Sequence, residues 1–187
     1  MKRSLQGFSL IELLVVVLII GLGVSFAALT ISDNKAYQLR LEAKHLVNSL
    51  KLVLDESILS NNEWGLDFYQ HINSDGQSIY GYRWLSKQEN DWQEDKLSGG
   101  QTNYSLPANI DLTLEIEGTL QAVNVPEKSN DDKQNSPGPD IWLASSGEIT
   151  PFRLVLADRE NQEIRLVIEA DQLARINLDG DGDVGYP

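Results

Sequence analysis

Few residues of this 187-residue chain have the types and spacing that catalysis requires. The absence of cysteine excludes thiolate nucleophiles, thiolate zinc sites and disulfide frameworks. Ser145 and Ser146 lack the glycine two residues upstream that a nucleophile elbow needs, and with Gly147 they predict a turn. His45 and His71 have no partner at catalytic or metal-ligand spacing. The sequence therefore indicates a protein that is not an enzyme and has no organic cofactor.

The acidic run Asp179, Asp181 and Asp183 is the candidate for metal binding. Carboxylates on alternate residues, with glycines between them, are able to wrap oxygen ligands around calcium. Val184 occupies the position where an EF-hand loop needs glycine, which excludes that motif. A simpler calcium site and a solvated acidic tail both remain open as interpretations.

The overall charge excludes one class of partner. The chain has 15 basic and 28 acidic residues, for a net charge of −13, so phosphate backbones would repel it. We therefore expect no binding to nucleic acid. The mean hydropathy of −0.27, averaged over the whole chain, is typical of a soluble protein, but the apolar residues are concentrated near the N-terminus.

Residues 13–29 form an uncharged apolar run of LLVVVLIIGLGVSFAAL, preceded by Lys2 and Arg3. Extended back to Phe8, the run is just long enough to cross a bilayer as a helix. The basic pair is expected to stay in the cytoplasm, which would place the rest of the chain on the far side of the membrane. In a bacterium that side is the periplasm.

Glu12 is the charged residue within this extended run. A carboxylate there costs roughly 2.5–3.5 kcal/mol when the segment inserts into the membrane. A signal peptide that is cleaved off has no need of a residue with this cost. Such a residue implies a partner in the membrane or in an assembly, although snorkelling to the headgroups is an alternative. An ordinary signal cleaved near Ala27 also remains open.

The N-terminal segment resembles the class III signal of type IV pilins and type II secretion pseudopilins, through the run Gly7-Phe8-Ser9-Leu10-Ile11-Glu12. The resemblance implies that a prepilin peptidase cuts after Gly7 and methylates the new N-terminus at Phe8. It also implies that Glu12 is an assembly residue that pairs with the terminal amine of a neighbouring subunit. Loss of Lys2 and Arg3 would leave 13 basic and 28 acidic residues, a net charge of −15.

The rest of the chain predicts an α+β fold. Leu39, Ala43, Leu46, Leu50 and Val53 recur at spacings of four and three, which extends the N-terminal helix to about residue 62. It could bend or unwind near Gly21, Gly23 or residues 32–34. Period-two patterns and turn residues then predict antiparallel strands at 65–69, 79–85, 110–116, 119–123, 140–143, 151–156 and 164–168. Turns are predicted at 73–76 and 98–100, and a mobile loop at 124–139.

A second motif narrows the family. Residues 141–152, IWLASSGEITPF, resemble the strand, Ser-Gly-Glu turn and following strand of the H-type minor pseudopilins of type II secretion, and this resemblance implies a hairpin over residues 141–156. Residues 55–59, DESIL, resemble a segment of their helix. The family implies a pilin-like fold in which one long helix packs on antiparallel sheets. The implied organisation is a leader at 1–7, a transmembrane and assembly half-helix at 8–31, and a periplasmic domain at 32–187.

The resemblance implies a structural subunit of a bacterial pseudopilus, placed near its tip, that drives export of folded proteins across the outer membrane. The expected partners are major and minor pseudopilins, the prepilin peptidase, the inner-membrane secretion platform and secreted cargo. The expected location is the inner membrane, with a single pass and a periplasmic domain. A minor pilin of a type IV pilus and an exported calcium-dependent binding module remain alternatives.

Overall fold

The computed structural model describes residues 10–89, 91–95, 103–123 and 138–180 of the chain. Within these residues one long helix precedes ten strands. They are α1 (Leu10–Ser60), β1 (Trp64–Ile72), β2 (Ser78–Gln88), β3 (Asp91–Glu94), β4 (Asn103–Ser105), β5 (Ile110–Ile116), β6 (Thr119–Gln121), β7 (Ile141–Leu143), β8 (Phe152–Asp158), β9 (Arg165–Ala170) and β10 (Ile176–Gly180). All seven predicted strands are present, whereas β3, β4 and β10 were not predicted.

The strands form two antiparallel sheets. The first has the order β3-β2-β1-β7, and β4 pairs with the other end of β2. The second has the order β10-β9-β8-β5-β6. The predicted turn at 73–76 closes the β1–β2 hairpin, where the Asn73 side chain accepts hydrogen bonds from the backbone N–H groups of Asp75 and Gln77. The predicted turn at 98–100 and residues 124–137 of the predicted loop lie outside the described residues.

The second half of α1 supplies the core. Its predicted apolar face is confirmed, because Leu39, Ala43, Leu46, Leu50 and Val53 are all at most 2 % exposed. The helix is uninterrupted at Gly21, at Gly23 and at residues 32–34, where the sequence allowed a bend or local unwinding. Buried side chains of both sheets share one cluster with this face, namely Leu66, Phe68 and Tyr82 of the first sheet and Leu112, Leu114, Leu154, Leu156 and Ile168 of the second.

The end of α1 is fixed to the Ser145–Gly147 turn. Asn61 adopts φ 50° directly after the helix, a left-handed conformation that asparagine tolerates better than most residues. The buried Ser57 hydroxyl donates to the Leu54 carbonyl at 2.7 Å and lies 3.3 Å from the Ala144 carbonyl oxygen. Gly147 needs its φ of 88° for the tight turn, in which its N–H donates to Ala144.

The segment 141–156 is not the simple hairpin that the sequence predicted. Leu143 and Ile149 make a single bridge, after which the chain leaves the first sheet, and β8 pairs with β5 and β9 in the second. Pro151 lies at this crossing, and its missing N–H cannot extend the ladder. The turn prediction was right, but the pairing prediction was wrong.

Asp140 terminates the pairing between β7 and β1. The two strands pair only from Trp64 to Leu66, and the next N–H of β1 on that side, from Phe68, donates to Asp140 Oδ2 at 2.8 Å. Nearby, Arg83 binds the buried Asp67 at 2.7 Å and Glu94 at 2.8 Å. Burial raises the pKa of Asp140 to about 6, and the charge of Asp67 adds to this effect.

We predict that Asp140→Asn stabilises the protein at pH 7.5. Because the pKa is about 6 in the folded state against an ordinary 3.8, the native protein loses stability as the pH rises through about 6. Asparagine keeps an acceptor for the Phe68 N–H without the charge. After solvent screening we expect a gain of about 1–2 kcal/mol in the free energy of unfolding.

The measurement is thermal unfolding of the full chain in detergent between pH 4.5 and 8. The gain should shrink as the pH falls below about 6, because protonation then removes the charge from the native carboxyl group. The exposed Asp75→Asn is the matched control and should change stability little at any pH. Equal gains for both variants at every pH would contradict the role of Asp140.

Candidate functional site

The first part of α1 is an apolar surface that this domain does not cover. The large aliphatic side chains between residues 10 and 22 are 44–85 % exposed. They are Leu10, Ile11, Leu13, Leu14, Val15, Val16, Val17, Leu18, Ile19, Ile20 and Leu22. An exposed apolar patch of this extent marks a surface that meets lipid or another protein.

Within the part of the chain that the structure describes, no helix holds an apolar stretch that meets the length and hydropathy required to cross a membrane.

Glu12 lies in the first turn of the described helix and is exposed. A carboxylate at this end is favoured by the partial positive charge of the helix N-terminus. At 100° per residue Glu12 lies on the same line along the helix as Val16 and Ile19. The predicted cleavage site at Gly7 and the predicted new terminus at Phe8 lie outside the described residues.

A polar cluster holds α1 to the second sheet just before its buried face begins. Lys35 Nζ donates to Asp158 Oδ1 at 3.2 Å and to Glu160 Oε2 at 2.6 Å. Asp158 is 1 % exposed and also accepts hydrogen bonds from Asn109 Nδ2 and the Asn161 N–H. Burial alone would raise the pKa of Asp158, but the hydrogen bonds from Lys35, Asn109 and Asn161 outweigh it and keep that pKa below its ordinary range.

A second cluster joins α1 to the first sheet. Tyr104 donates to Glu42 Oε2 at 2.7 Å, and His45 Nδ1 lies 2.9 Å from the Tyr82 hydroxyl oxygen. The Tyr104 ring stacks on two neighbours. Its centroid lies 4.6 Å from that of His45 and 5.1 Å from that of Tyr82. Burial and the neighbouring carboxylate of Glu42 raise the pKa of Tyr104 to about 12, so it remains a donor. His45 thus joins α1 to the first sheet through its ring stack on Tyr104 and its contact with Tyr82.

The other residues considered for chemistry are not brought together. Ser145 and Ser146 form the turn that was predicted. His71 lies in β1, and its ring is 5.8 Å from that of Tyr69. The pairing of β1 with β2 continues through Ile72, which makes His71 part of the ladder.

The structure describes only the start of the acidic run. Asp179 is an exposed residue of β10, opposite Val167 in β9, and Asp181 and Asp183 lie outside the described residues. Among the residues that are described, no three His, Asp or Glu side chains are grouped so as to hold a metal ion.

A cleft of about 560 Å³ opens on the outer face of the second sheet. Its two cations are already engaged, because Arg153 lies between Glu115 and Glu169, and Arg175 binds Asp171. The sequence did not predict this cleft, since its charges come from three separate strands, β5, β8 and β9, and from two turns.

The comparisons with known proteins agree with one another. Residues 2–28 match the prokaryotic N-terminal methylation motif, and residues 42–180 match the family described as type II transport protein GspH. Type II secretion system protein H of Pseudomonas aeruginosa is 30 % identical over 94 % of this chain and 98 % of its own length. The corresponding protein of Aeromonas hydrophila is 25 % identical over 95 % and 96 %.

The fold also has a solved counterpart. The minor pseudopilin EpsH from the type 2 secretion system of Vibrio cholerae superposes with a TM-score of 0.56 at 20 % sequence identity. The match covers 78 % of this chain and 99 % of that one. The likeness confirms a pilin-like α+β fold, with one helix packed on antiparallel sheets.

We predict that Lys35→Ala lowers the free energy of unfolding, because it leaves the buried carboxylate of Asp158 without its cation. Thermal unfolding of the full chain in detergent at pH 7 measures this loss. The exposed Lys51→Ala is the matched control and should change stability by no more than about 0.5 kcal/mol.

The loss should become smaller in acid. The folded-state pKa of Asp158 is lowered, so its ionised form contributes stability that disappears as the pH falls through that pKa. A Lys35→Ala effect that is the same at pH 3 and pH 7 would contradict an electrostatic role.

Proposed function

Because the chain belongs to the type II transport protein GspH family and is a minor pseudopilin of type II secretion, we propose that it acts as a structural, non-catalytic subunit of the pseudopilus. It lies near the tip and helps to drive export of folded proteins across the outer membrane. The observation that carries this proposal is one unbroken helix, Leu10–Ser60, with an exposed apolar first part and a second part buried against two sheets. Such a helix anchors a folded domain to an assembly.

The N-terminal part of the proposal concerns processing. The methylation motif matched over residues 2–28 supports cleavage after Gly7 by a prepilin peptidase and methylation of Phe8. Residues 1–7 are then a leader, 8–31 the transmembrane and assembly half of the helix, and 32–187 the periplasmic domain. The methylation motif and the family suggest a membrane-anchored, periplasm-facing protein, and we place it in the inner membrane with a single pass.

The assembly part of the proposal assigns a role to Glu12. Its carboxylate, next to exposed apolar side chains, would pair with the N-terminal amine of a neighbouring subunit and thereby set the axial register. The family implies contact with other pseudopilins, both major and minor. We extend the partners to the inner-membrane secretion platform during insertion into the pseudopilus, and to secreted cargo at the domain surface.

The first prediction of this proposal concerns the mass of the mature protein. When the chain is produced in cells with a prepilin peptidase, the N-terminus should be an N-methylated Phe8, and in cells without that peptidase the leader should be retained. Intact-mass and N-terminal peptide measurements distinguish the two forms. A peptidase-independent start near Ala28 would instead indicate an ordinary signal peptide and would refute the assembly role.

The second prediction concerns Glu12→Ala in a strain that lacks the native protein. Processing and membrane insertion should be normal, because the apolar run is intact. Secretion of an exoprotein should fall by about tenfold or more, since one charge-assisted contact of about 1.5–3 kcal/mol is lost between this subunit and its neighbour. Glu163→Ala, which changes an exposed carboxylate on the domain, is the control. Normal secretion in the Glu12 variant would contradict the register role.

A further inference from the structure

Within the described residues, β10 is the last strand of the second sheet and is paired on only one side. Its five residues pair with β9 in antiparallel register, from Ile176 opposite Ala170 to Gly180 opposite Leu166. The other strands at the edges of the two sheets are shorter, since β3 has four residues and β4, β6 and β7 have three each. In the described part of the chain β10 is therefore the longest edge strand, about 17 Å in length.

The register determines which backbone groups of β10 point away from the sheet. The Asp171 N–H donates to the Arg175 carbonyl oxygen at 3.4 Å, so the next opposite pair, Ala170 and Ile176, is a non-hydrogen-bonded pair. Such pairs alternate with bonded ones, so Leu178 is the next residue of β10 that does not bond to β9. The N–H and C=O groups of Ile176 and Leu178 have no hydrogen-bond partner among the described residues. We refer to these four groups as the β10 edge.

The side chains of β10 differ between its two faces. Ile176 and Leu178 lie on the inner face, where they are only partly buried against the core cluster. Asn177 and Asp179 are exposed on the outer face, and Asn177 lies opposite Glu169 of β9. A strand that pairs with the β10 edge would cover the remaining apolar surface on one face and meet acidic neighbours on the other. Charge complementarity therefore favours a strand with apolar inner side chains and basic outer ones.

β10 lacks most of the features that keep sheet edges from pairing with other chains. Monomeric proteins protect such edges with lysine, proline or a β-bulge. The sequence of β10, INLDG, contains neither lysine nor proline, and its pairing with β9 runs through all five residues without a bulge. Asp179 is the one charged residue of the strand. A single carboxylate repels acidic strands and admits basic ones, so it selects among partners rather than closing the edge.

The position of β10 places this edge on the side of the domain. α1 packs on β8, β9 and β10, so the edge runs beside the helix along the flank of the domain. Subunits that are anchored in one membrane by parallel helices lie side by side, so a neighbour in the assembly meets this flank. We therefore take a neighbouring subunit as the occupant of the edge.

We propose that the β10 edge accepts a strand from the globular domain of a neighbouring pilin-like subunit, which extends the second sheet across the contact between the two subunits. This inference rests on the proposed function and adds to it a backbone contact between globular domains. The main-chain hydrogen bonds supply affinity, and the alternating side chains supply selectivity. The partner strand places apolar side chains beside Ile176 and Leu178, and a basic side chain beside Asp179.

The first test removes one backbone donor of the β10 edge from the full chain, in a strain that lacks the native protein. Leu178→Pro deletes an N–H that points away from β9, whereas Leu178→Ala removes the same side chain and keeps that N–H. We expect Leu178→Pro to lower exoprotein secretion at least about tenfold relative to Leu178→Ala, because proline also prevents a strand from approaching the edge. The two variants should have melting temperatures within about 5 °C of each other, since β9 does not use this N–H.

The second test leaves the backbone of the edge intact. Asp179→Lys reverses the exposed charge of β10, and we expect it to lower secretion at least about threefold, because it repels a basic side chain of the partner. Glu163→Lys makes the same change of charge at an exposed residue outside the strands. It is the matched control and should secrete like the wild type.

The third test identifies the occupant of the β10 edge. Benzoyl-phenylalanine in place of Asp179 is expected, after illumination of intact cells, to join to a strand in the globular domain of another pseudopilin. The same group in place of Asp75, in the turn between β1 and β2, should give no such product. Adding Leu178→Pro to the chain that carries the group at position 179 should lower the yield of the product at least about tenfold.

The outcomes separate the two proposals. Equal secretion by Leu178→Pro and Leu178→Ala, wild-type secretion by Asp179→Lys, or a much lower melting temperature of Leu178→Pro would overturn the β10 edge as a contact and leave the pseudopilin function intact. So would the absence of a cross-link from position 179, or its mapping to residues 181–187 of the same chain, to a long helix, to lipid or to an unrelated protein. Failure of the wild-type chain to restore secretion would overturn the proposed function together with the strand contact that rests on it.

Discussion

The packing of one face of α1 against both sheets is the constraint on which the rest of the structure depends. The leucines at 39, 46 and 50 occupy the space where side chains of the two sheets meet, so each sheet completes its core only with the helix in place. A helix used in this way cannot rotate about its axis without exposing leucine. Its opposite face is therefore fixed in direction, and so is the surface that it offers to an assembly.

Local sequence patterns predicted the helix and most of the strands, but they did not predict how the strands pair. The 3–4 spacing of apolar residues predicted α1, and alternation predicted β1, β2, β5, β8 and β9, because both patterns report burial of one face. The missed strands β3 and β4 have few apolar residues, and their pairing with β2 rather than their own sequence makes them strands. Likewise, nothing local shows that Gly65 accommodates Trp92 and Pro139, which pack where a Cβ would clash.

The sequence predicted the N-terminal assembly segment, but it did not predict the polar contacts that fix α1 to the domain. The apolar run and Glu12 form one contiguous segment, and they pointed to an assembly helix before any contact was known. The contacts of Lys35 with Asp158 and of Glu42 with Tyr104 join residues that are 123 and 62 positions apart. Charged and polar side chains of this kind look like solvated surface in a sequence, because only the fold determines which of them meet.

Lys35 fixes the long helix α1 to the domain at one point, through its contacts with Asp158 and Glu160, and the first part of the helix extends away from that point. From Lys35 to Leu10 the helix extends about 37 Å, so it acts as a lever with its fulcrum at the domain. A tilt of about 5° at that fulcrum displaces the far end by about 3 Å, which is the length of one hydrogen bond. Small forces on the globular domain would therefore be transmitted as strain to the opposite end of the helix.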